Sequence, residues 1–247
     1  MLVRSSHEHG VTTLTLDSPH NRNALSSRLV AELHDGLRRA ADDSDTRAVV
    51  LTHSGTTFCA GADLSEPTPT GPEALARLLR TIVELPGPVV ARVDGHVRAG
   101  GLGLLGACDI AVASGASSFA FTEARLGLAP AVISLPLLPR LDARAAARYY
   151  LTGERFGARE AVRIGLITLA AGDEGPDEAL EPVLEGLRRG SPQGLAASKR
   201  LVTAEVLRAF DRDAEEMAER SARLFASEEA REGMAAFLEK RDPSWVR

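Results

Sequence analysis

Two spacings of apolar residues alternate along the first half of the chain. Residues 11–17, VTTLTLD, alternate apolar and polar positions like a half-buried strand, and the short apolar runs 47–52 and 88–93 suit buried strands. Between these runs, apolar residues recur at helical spacing, and Ser26 is a suitable N-cap for the first helix. The two helical sets are Leu29, Val30, Leu33, Leu37 and Ala40, and then Leu75, Leu78, Leu79 and Ile82.

The second half of the chain predicts further strands and helices. Residues 109–114 and 117–123 are predicted strands, and a helix is predicted over 142–153, with Gly153 as its stop signal. The order strand, strand, helix differs from the strict alternation of strand and helix in a doubly wound sheet. We therefore predict an α/β fold in which small units are stacked in a spiral.

The last quarter of the chain has a different pattern. After Ser191, a predicted N-cap followed by Pro192, the chain is predicted to be almost wholly helical. Its apolar stripe is too long for a self-contained helix pair, so the stripe is expected to pack on the core or on another subunit. We predict a core over 1–190 and a helical region over 191–247, with a loop at 170–178.

Composition and charge narrow the function classes. The chain has 247 residues, 44% of them hydrophobic, which is enough for a sizeable core. A formal net charge of −5 argues against broad nucleic-acid binding. No apolar run could cross a bilayer and the N-terminus lacks the apolar stretch of a signal peptide, so a cytoplasmic protein without membrane partners is expected. Cys59 and Cys108 lie among small apolar residues and are expected to be free thiols.

The stretch AGGLGLLGACD (99–109) contains a match to the dinucleotide-binding pattern G-x-G-x-x-G at Gly101, Gly103 and Gly106. A dinucleotide fold needs a long crossover helix after this pattern, but the strand pattern resumes at Asp109. Two other interpretations remain: the glycines allow close helix packing, or they expose backbone at a helix start. In the second case an N–H group at the helix N-terminus could bind a negatively charged oxygen.

A second glycine loop strengthens the interpretation as a binding site. Residues 59–63, CAGAD, again follow a buried strand and offer backbone with almost no side chain in the way. A tight turn in which Asp63 caps the next segment would explain this loop alone. Together with 99–103, however, it supplies two backbone donors on separate strand-to-helix turns, as an oxyanion hole for a carbonyl or thioester oxygen requires.

At these residues the sequence resembles the enoyl-CoA hydratase/isomerase (crotonase) superfamily, and its pattern is most similar to bacterial enoyl-CoA and methylglutaconyl-CoA-type hydratases. The resemblance implies a crotonase-like spiral of ββα units, with 191–247 as a trimerisation region of a homotrimer or a dimer of trimers. It implies an acyl-CoA substrate, and an oxyanion hole made by the N–H groups of Ala62 and Gly100. The matching segments are HNRNALS (20–26), FCAGADL (58–64), GHVRAGGLGLLGACDIAVAS (95–114), FTEARLGLAP (121–130), LTGERFGAREAVRIGLI (151–167) and EGMAAFLEKRDPSW (232–245).

The resemblance also implies where coenzyme A is bound. Contacts fall on the loop after the first predicted strand and along the backbone of residues 60–64, and two further positions can reach the coenzyme A of a neighbouring subunit. No metal and no separate cofactor are expected. The implied contacts are Arg22, Ala24, Leu25, Ala60, Gly61, Ala62, Asp63 and Leu64, with Phe237 and Lys240 toward the neighbouring subunit.

Many hydratases of this superfamily use two glutamates to activate water. The second maps to Glu123, where Phe119 and Phe121 would desolvate the carboxyl and raise its pKa toward the range for proton transfer. The first maps to Gly103, so that carboxylate position is vacant. We expect an enoyl-CoA hydratase, a carbon–oxygen lyase, with Glu123 as the single acid/base. The alternatives are an enoyl-CoA isomerase with one carboxylate, and a protein that binds CoA thioesters without turnover.

Other polar residues have weaker functional interpretations. The space left at Gly103 could admit a larger or polar acyl group, and Arg98 or Arg125 could pair with a carboxylate on it, although surface roles are more common for arginine. His96 is expected to be a structural turn residue. The cluster HEH (7–9) is expected to be a surface feature rather than a metal site.

Overall fold

The computed structural model describes residues 1–66 and 71–246. Six strands form a large sheet and four form a small one, and pairing is parallel except in the first hairpin and at the last strand of the small sheet. The large sheet contains, in spatial order, β1 (Val3–Glu8), β2 (Val11–Leu16), β3 (Ala48–His53), β5 (Val89–Val93), β7 (Ile110–Ser114) and β10 (Leu169–Ala171). The small sheet contains β4 (Thr57–Cys59), β6 (His96–Arg98), β8 (Ser118–Ala120) and β9 (Phe156–Gly157).

Helices cover these sheets and form the C-terminal region. Short 3₁₀ turns lie at Pro19–Asn21 and Glu123–Leu126. The α-helices are α1 (Ser27–Asp42), α2 (Pro72–Glu84), α3 (Gly100–Ala107), α4 (Ser134–Leu137), α5 (Ala143–Thr152), α6 (Ala158–Arg163), α7 (Pro176–Arg189), α8 (Pro192–Val202), α9 (Ala204–Phe225) and α10 (Glu228–Glu239).

The predicted spiral of strand–strand–helix units is confirmed. The units β3–β4–α2 and β5–β6–α3 each place the first strand in the large sheet and the second in the small sheet, and β7–β8 repeats this before the turn at 123–126. The first strands of the units are fully or mostly buried apolar runs, because parallel strands are covered on both faces. Ser26 caps α1 by accepting a hydrogen bond from the Leu29 N–H, as its position predicts.

Helix α3 is buried along its whole length, and its glycines allow close packing. A β-carbon on Gly101 would lie 2.7 Å from the Cys59 carbonyl oxygen, and one on Gly106 would lie 2.5 Å from the side chain of Leu137. The helix has eight residues and β7 begins at Ile110, so no long crossover follows the G-x-G-x-x-G match. The glycines of that match therefore bring α3 close to β4 and α4.

Two predicted boundaries are wrong. The strand predicted over 117–123 ends at Ala120, because the chain turns into the 3₁₀ segment that begins at Glu123. The loop predicted over 170–178 shrinks to the residues between Ala171 and Pro176. Leu169–Ala171 adds an edge strand beside β7, and Pro176 begins α7, as a proline in a first helical turn does.

The region from Ser191 onward is helical, as predicted. Helix α9 packs on α2 and α4, and α10 packs on the 3₁₀ turn at 123–126. None of the described helices is long and apolar enough to span a membrane. Several apolar side chains of this region are exposed, namely Leu201, Val202, Phe237, Leu238, Trp245 and Val246.

Candidate active site

Two loops predicted to contact coenzyme A lie side by side. The Ala60 N–H donates to the Arg22 carbonyl at 3.1 Å, and the Leu25 N–H donates to the Gly61 carbonyl at 2.7 Å. Arg22 has a left-handed backbone and an exposed side chain, whereas Leu25 is buried. The structure thus brings together Arg22, Ala24, Leu25, Ala60, Gly61, Ala62, Asp63 and Leu64.

The backbone pairing leaves the Ala62 N–H directed away from the neighbouring loop. Leu25 and Ala62 form an isolated parallel bridge in which the Leu25 N–H bonds the residue before Ala62. In parallel pairing of this kind, the hydrogen bonds of Leu25 go to the residues on either side of Ala62, so the Ala62 N–H points to the opposite side. That N–H is available to a ligand.

The second N–H group predicted for the oxyanion hole lies beside the first loop. Gly100 is the first residue of α3, so its N–H has no acceptor within the helix. A β-carbon on Gly61 would lie 2.8 Å from Ala99 Cβ and 3.3 Å from the Gly100 nitrogen, and Gly61 has a φ of +94° that favours glycine. Ala99 has a strained backbone, with φ 45° and ψ −121°, directly before Gly100. Such strain is characteristic of functional turns.

Asp63 fixes the loop on the other side of Ala62. Its carboxylate accepts hydrogen bonds from Asn21 Nδ2 at 2.9 Å and from Ser65 Oγ at 2.6 Å. Burial alone would raise the pKa of Asp63, but the hydrogen bonds from Ser65 and Asn21 outweigh it and lower the pKa. Because the side chain is held internally, only the backbone of Asp63 can serve a ligand.

Glu123 lies at the start of the 3₁₀ turn and is 8% exposed. Gly127 ends this turn with a left-handed backbone and donates its N–H to the Glu123 carbonyl. The backbone of α10 supports the turn closely, since a β-carbon on Gly127 would lie 2.6 Å from Glu229, and one on Gly233 would lie 2.6 Å from Leu126. The C-terminal region therefore holds the glutamate in place.

The environment of Glu123 suits proton transfer. Burial raises the pKa of Glu123 to about 7 and outweighs the backbone hydrogen bonds of Glu123 and Thr122, which lower it. Oε2 of this carboxyl is buried without a hydrogen-bond partner within the described residues. An unpaired buried carboxyl oxygen is costly, which is expected where the group must be ready to bind a reactant.

The expectation of open space at Gly103 is wrong. A β-carbon on Gly103 would lie 2.5 Å from Ile133 Cγ2 and 3.2 Å from Leu79 Cδ1. The side chains of Ile133 and Leu79 thus occupy the region that a glutamate at residue 103 would need. The position lacks a carboxylate, as the sequence indicated, but it adds no volume for a larger acyl group.

The two arginines considered as partners of a substrate carboxylate have other contacts. Arg98 donates to the Ser118 carbonyl at 2.6 Å and to Ser118 Oγ at 2.8 Å, and Arg125 donates to the Thr152 carbonyl at 3.0 Å. His96 is exposed, and its Nδ1 lies 2.9 Å from Ser118 Oγ. Arg98 and His96 therefore stabilise the small sheet, and Arg125 stabilises the end of α5, so none of them is free to form a carboxylate-binding site.

The two cysteines are buried, and the HEH cluster lies at the surface. Burial raises the pKa of Cys59 and of Cys108 to about 12, and both thiols are free. Residues 7–9 lie at the exposed β1–β2 hairpin. Over the described residues, no group of three or more histidine, cysteine, aspartate or glutamate side chains could hold a metal ion.

The two positions predicted to reach a neighbouring subunit lie apart from the loops. Phe237 and Lys240 are on or just after α10, and both are exposed. No hydrogen bond in the described part of the chain joins either side chain to the loops.

The sequence analysis missed two residues near the site, Ile133 and Tyr150. The ring of Tyr150 packs on Phe121 with 4.6 Å between ring centroids. Their only signal was that they lie near the matching segment FTEARLGLAP and in the helix that follows it.

Comparisons with known proteins agree with this fold. The enoyl-CoA hydratase/isomerase family model matches residues 6–247. The chain is 32% identical over 245 residues to a Bacillus subtilis protein named "Probable enoyl-CoA hydratase", covering 95% of each chain. It is 31% identical over 262 residues to the 1,2-epoxyphenylacetyl-CoA isomerase of Escherichia coli, covering 99% of this chain and 98% of that one. The crystal structure of an enoyl-CoA hydratase from Mycobacterium avium has 60% identity and a TM-score of 0.91, with 99% of each chain covered.

The fold defines an α/β protein of the crotonase type. The chain belongs to the enoyl-CoA hydratase/isomerase family. Membership implies an acyl-CoA substrate, and the relatives include both hydratases and an isomerase.

Proposed function

We propose that this protein is an enoyl-CoA hydratase that adds water across the 2,3 double bond of an enoyl-CoA thioester. The N–H groups of Ala62 and Gly100 hold the thioester oxygen, and Glu123 is the single acid/base. The observation that carries this proposal is the buried Glu123, with its pKa raised to about 7 and one oxygen unpaired. A base is most effective when its pKa lies near the working pH.

The reaction can proceed with one carboxylate. Ionised Glu123 takes a proton from water as the water oxygen attacks Cβ, and the electron pair of the double bond moves through Cα onto the thioester oxygen. The N–H groups of Ala62 and Gly100 stabilise this enolate. Glu123 then returns the proton to Cα, which completes the hydration without a metal or a separate cofactor.

The surroundings of Gly103 support an apolar acyl group as the substrate class. Ile133 and Leu79 crowd the position next to the missing carboxylate, and both are apolar. Arg98 and Arg125 make contacts elsewhere, so neither is proposed to bind a second carboxylate on the acyl group. We propose that coenzyme A binds the loops at 22–25 and 60–64, with Phe237 and Lys240 reaching the coenzyme A of a neighbouring subunit.

A panel of enoyl-CoA thioesters, followed by mass spectrometry, tests the function and the substrate class together. Short unbranched, branched and carboxylated acyl groups should be included. We expect hydration of the apolar members and at least about tenfold lower kcat/KM for the carboxylated ones, since an unpaired charge in an apolar site is costly. Glu123→Ala should lower the rate by about two or more decades. Full activity in that variant would exclude Glu123 as the base.

Isomerisation is the second candidate, and the single carboxylate favours it specifically. One carboxylate can move a proton between allylic carbons, and one relative is named an isomerase. Incubation in ¹⁸O-labelled water separates the two reactions. A hydratase product carries the label in its new hydroxyl group, whereas an isomerised product carries none.

Binding without turnover is the remaining alternative. Calorimetric binding of acyl-CoA thioesters, with no conversion over the whole panel, would favour it over both reactions.

We propose a homotrimer or a dimer of trimers, supported by the exposed apolar residues of the region after Ser191, including Leu201, Val202 and Leu238. Sedimentation of the purified protein tests this assembly, since a monomer would contradict it.

A further inference from the structure

Tyr150 lies beside the turn that carries Glu123. Its ring packs against Phe121, which is two residues before Glu123, with 4.6 Å between ring centroids. Helix α5, which carries Tyr150, packs against the turn Glu123–Leu126. The phenol and the carboxyl therefore belong to two elements that are in direct contact.

The Tyr150 hydroxyl has a poor hydrogen-bond partner. Within the described residues its only partner is Ser134 Oγ at 3.4 Å, and Ser134 already donates its one proton to the Pro130 carbonyl at 2.6 Å. Buried tyrosine hydroxyls usually form a short hydrogen bond. The hydroxyl thus has only this long hydrogen bond, and Tyr150 is close enough to the Glu123 carboxyl for the two groups to interact electrostatically.

The charge state of Tyr150 makes it a donor. Burial raises the pKa of Tyr150, and the nearby negative charge of Glu123 raises it further. At neutral pH the phenol therefore keeps its proton and can offer it in a hydrogen bond.

We propose that the Tyr150 hydroxyl is the second group that holds the reacting water, in place of the carboxylate that Gly103 lacks. This inference rests on the proposed hydration. The water accepts a hydrogen bond from Tyr150 and donates one to Glu123, while its remaining lone pair faces Cβ. One O–H bond of the water and the π bond between Cα and Cβ break, a bond forms between the water oxygen and Cβ, and the proton passes through Glu123 to Cα. Tyr150 keeps its own proton throughout.

Kinetics of Tyr150→Phe provide the first test, with Tyr149→Phe as the matched control. The Tyr149 hydroxyl donates to Glu160 Oε1 at 2.8 Å, so the control also loses a hydrogen bond, but away from the turn. We expect Tyr150→Phe to lower kcat about tenfold or more, because a misplaced reactant reacts slowly, with KM changed less than about threefold. Tyr149→Phe should keep its kcat. Equal kcat in Tyr150→Phe and the wild-type enzyme would overturn the proposal.

A titration of the resting protein provides a second test that does not depend on turnover. The carboxyl band of Glu123 is assigned by infrared spectroscopy from its loss in Glu123→Gln, and its pKa is then measured in each tyrosine variant. A donor that acts on the carboxylate through water lowers its pKa, so Tyr150→Phe should raise the Glu123 pKa by about half a unit or more. Tyr149→Phe should leave it unchanged. An unchanged pKa in Tyr150→Phe would overturn the link between Tyr150 and Glu123, whereas a wild-type enzyme that hydrates nothing would overturn the proposed function alone.

Discussion

Ile133 and Gly103 are packed so closely that a β-carbon at residue 103 would lie 2.5 Å from Ile133 Cγ2. The glycine is therefore more than a position where a glutamate happens to be absent. A glutamate here would require Ile133 to move, so the loss of the carboxylate and the presence of the bulky apolar side chain form one arrangement. In the proposed mechanism α3 therefore supplies the Gly100 N–H but no carboxylate, and Glu123 is the one acid/base.

Gly103→Ala should destabilise the protein by about 1–3 kcal/mol, because the added methyl group overpacks the contact with Ile133. Gly186→Ala is the matched control, since Gly186 is in the interior of α7 and a β-carbon there would meet no atom within 4 Å. The control should gain about 0.5–1 kcal/mol from helix propensity. Urea unfolding of both variants measures the difference, and a Gly103→Ala variant as stable as the wild type would contradict the close packing.

Combining Gly103→Ala with Ile133→Ala should show that the two residues are coupled. Ile133→Ala alone leaves a cavity, but it also removes Ile133 Cγ2, the nearest atom that the new methyl group would meet. The double variant should then be less destabilised than the sum of the single variants by about 1 kcal/mol or more. Additive effects would mean that the strain at Gly103→Ala comes from another neighbour.

The pH dependence of kcat/KM should follow the ionisation of Glu123. Glu123 must be ionised to accept a proton, and burial raises its pKa to about 7. The rate should therefore fall tenfold per pH unit below about pH 7 and level off above it. A pH series with a good substrate measures this limb, and Glu123→Gln should remove it. A midpoint near 4.5 would show that Glu123 is exposed to solvent in the working enzyme.

The free energy of unfolding should also depend on Glu123, but it should fall as the pH rises, whereas the rate should increase. The pKa of Glu123 is raised from 4.5 in the unfolded chain to about 7, so the folded state binds the proton more tightly. This contribution is fully present below about pH 4.5 and is lost as the pH rises through about 7, with a total of roughly 3 kcal/mol. Urea unfolding of the wild type and Glu123→Gln at pH 5 and pH 8 compares the two. The difference in free energy of unfolding between the two proteins should change by most of that amount from pH 5 to pH 8. An unchanged difference would contradict the burial of the carboxyl.

Local patterns in the sequence predicted the elements but not the contacts between distant residues. The cap at Ser26 and the apolar face after it determine α1 almost by themselves. The small residues at Gly61 and Gly100 indicated exposed backbone, because a side chain there would block a ligand. In contrast, the contact of Ile133 with Gly103 depends on how the segment after Pro130 crosses α3. The spacing of apolar residues along the sequence does not indicate this crossing.

The same limit applies to Tyr150 and to buried charges. Tyr150 occupies an ordinary apolar position of a helix, and only the packing of α5 on the turn at 123–126 brings it near Glu123. Lys199 and Asp109 are ninety positions apart in sequence, yet they form a buried ion pair. Such pairs depend on the tertiary fold, so single-sequence patterns cannot supply them.

The ion pair between Lys199 and Asp109 should be important for stability, because it joins the helical C-terminal region to the residues that follow α3. Lys199 Nζ lies 2.8 Å from Asp109 Oδ2 and also donates to the carbonyls of Ile82 and Gly87, at 2.9 and 3.1 Å. Lys199→Met would leave Asp109 as an unpaired buried charge, which costs about 3–5 kcal/mol. Lys240→Met, at an exposed lysine, should change the free energy of unfolding by less than about 0.5 kcal/mol.

A further substitution separates the loss of the charge pair from a loss of packing. Asp109→Asn keeps an oxygen that can accept the hydrogen bond from the Val89 N–H, now at 2.7 Å, but it removes the negative charge. In the Lys199→Met background, Asp109→Asn should therefore raise the free energy of unfolding by about 1 kcal/mol or more, as measured by urea unfolding. In the wild-type background the same substitution should lower it. If Asp109→Asn costs the same in both backgrounds, the two side chains are not coupled, and the lysine acts only through its carbonyl contacts at the end of α2.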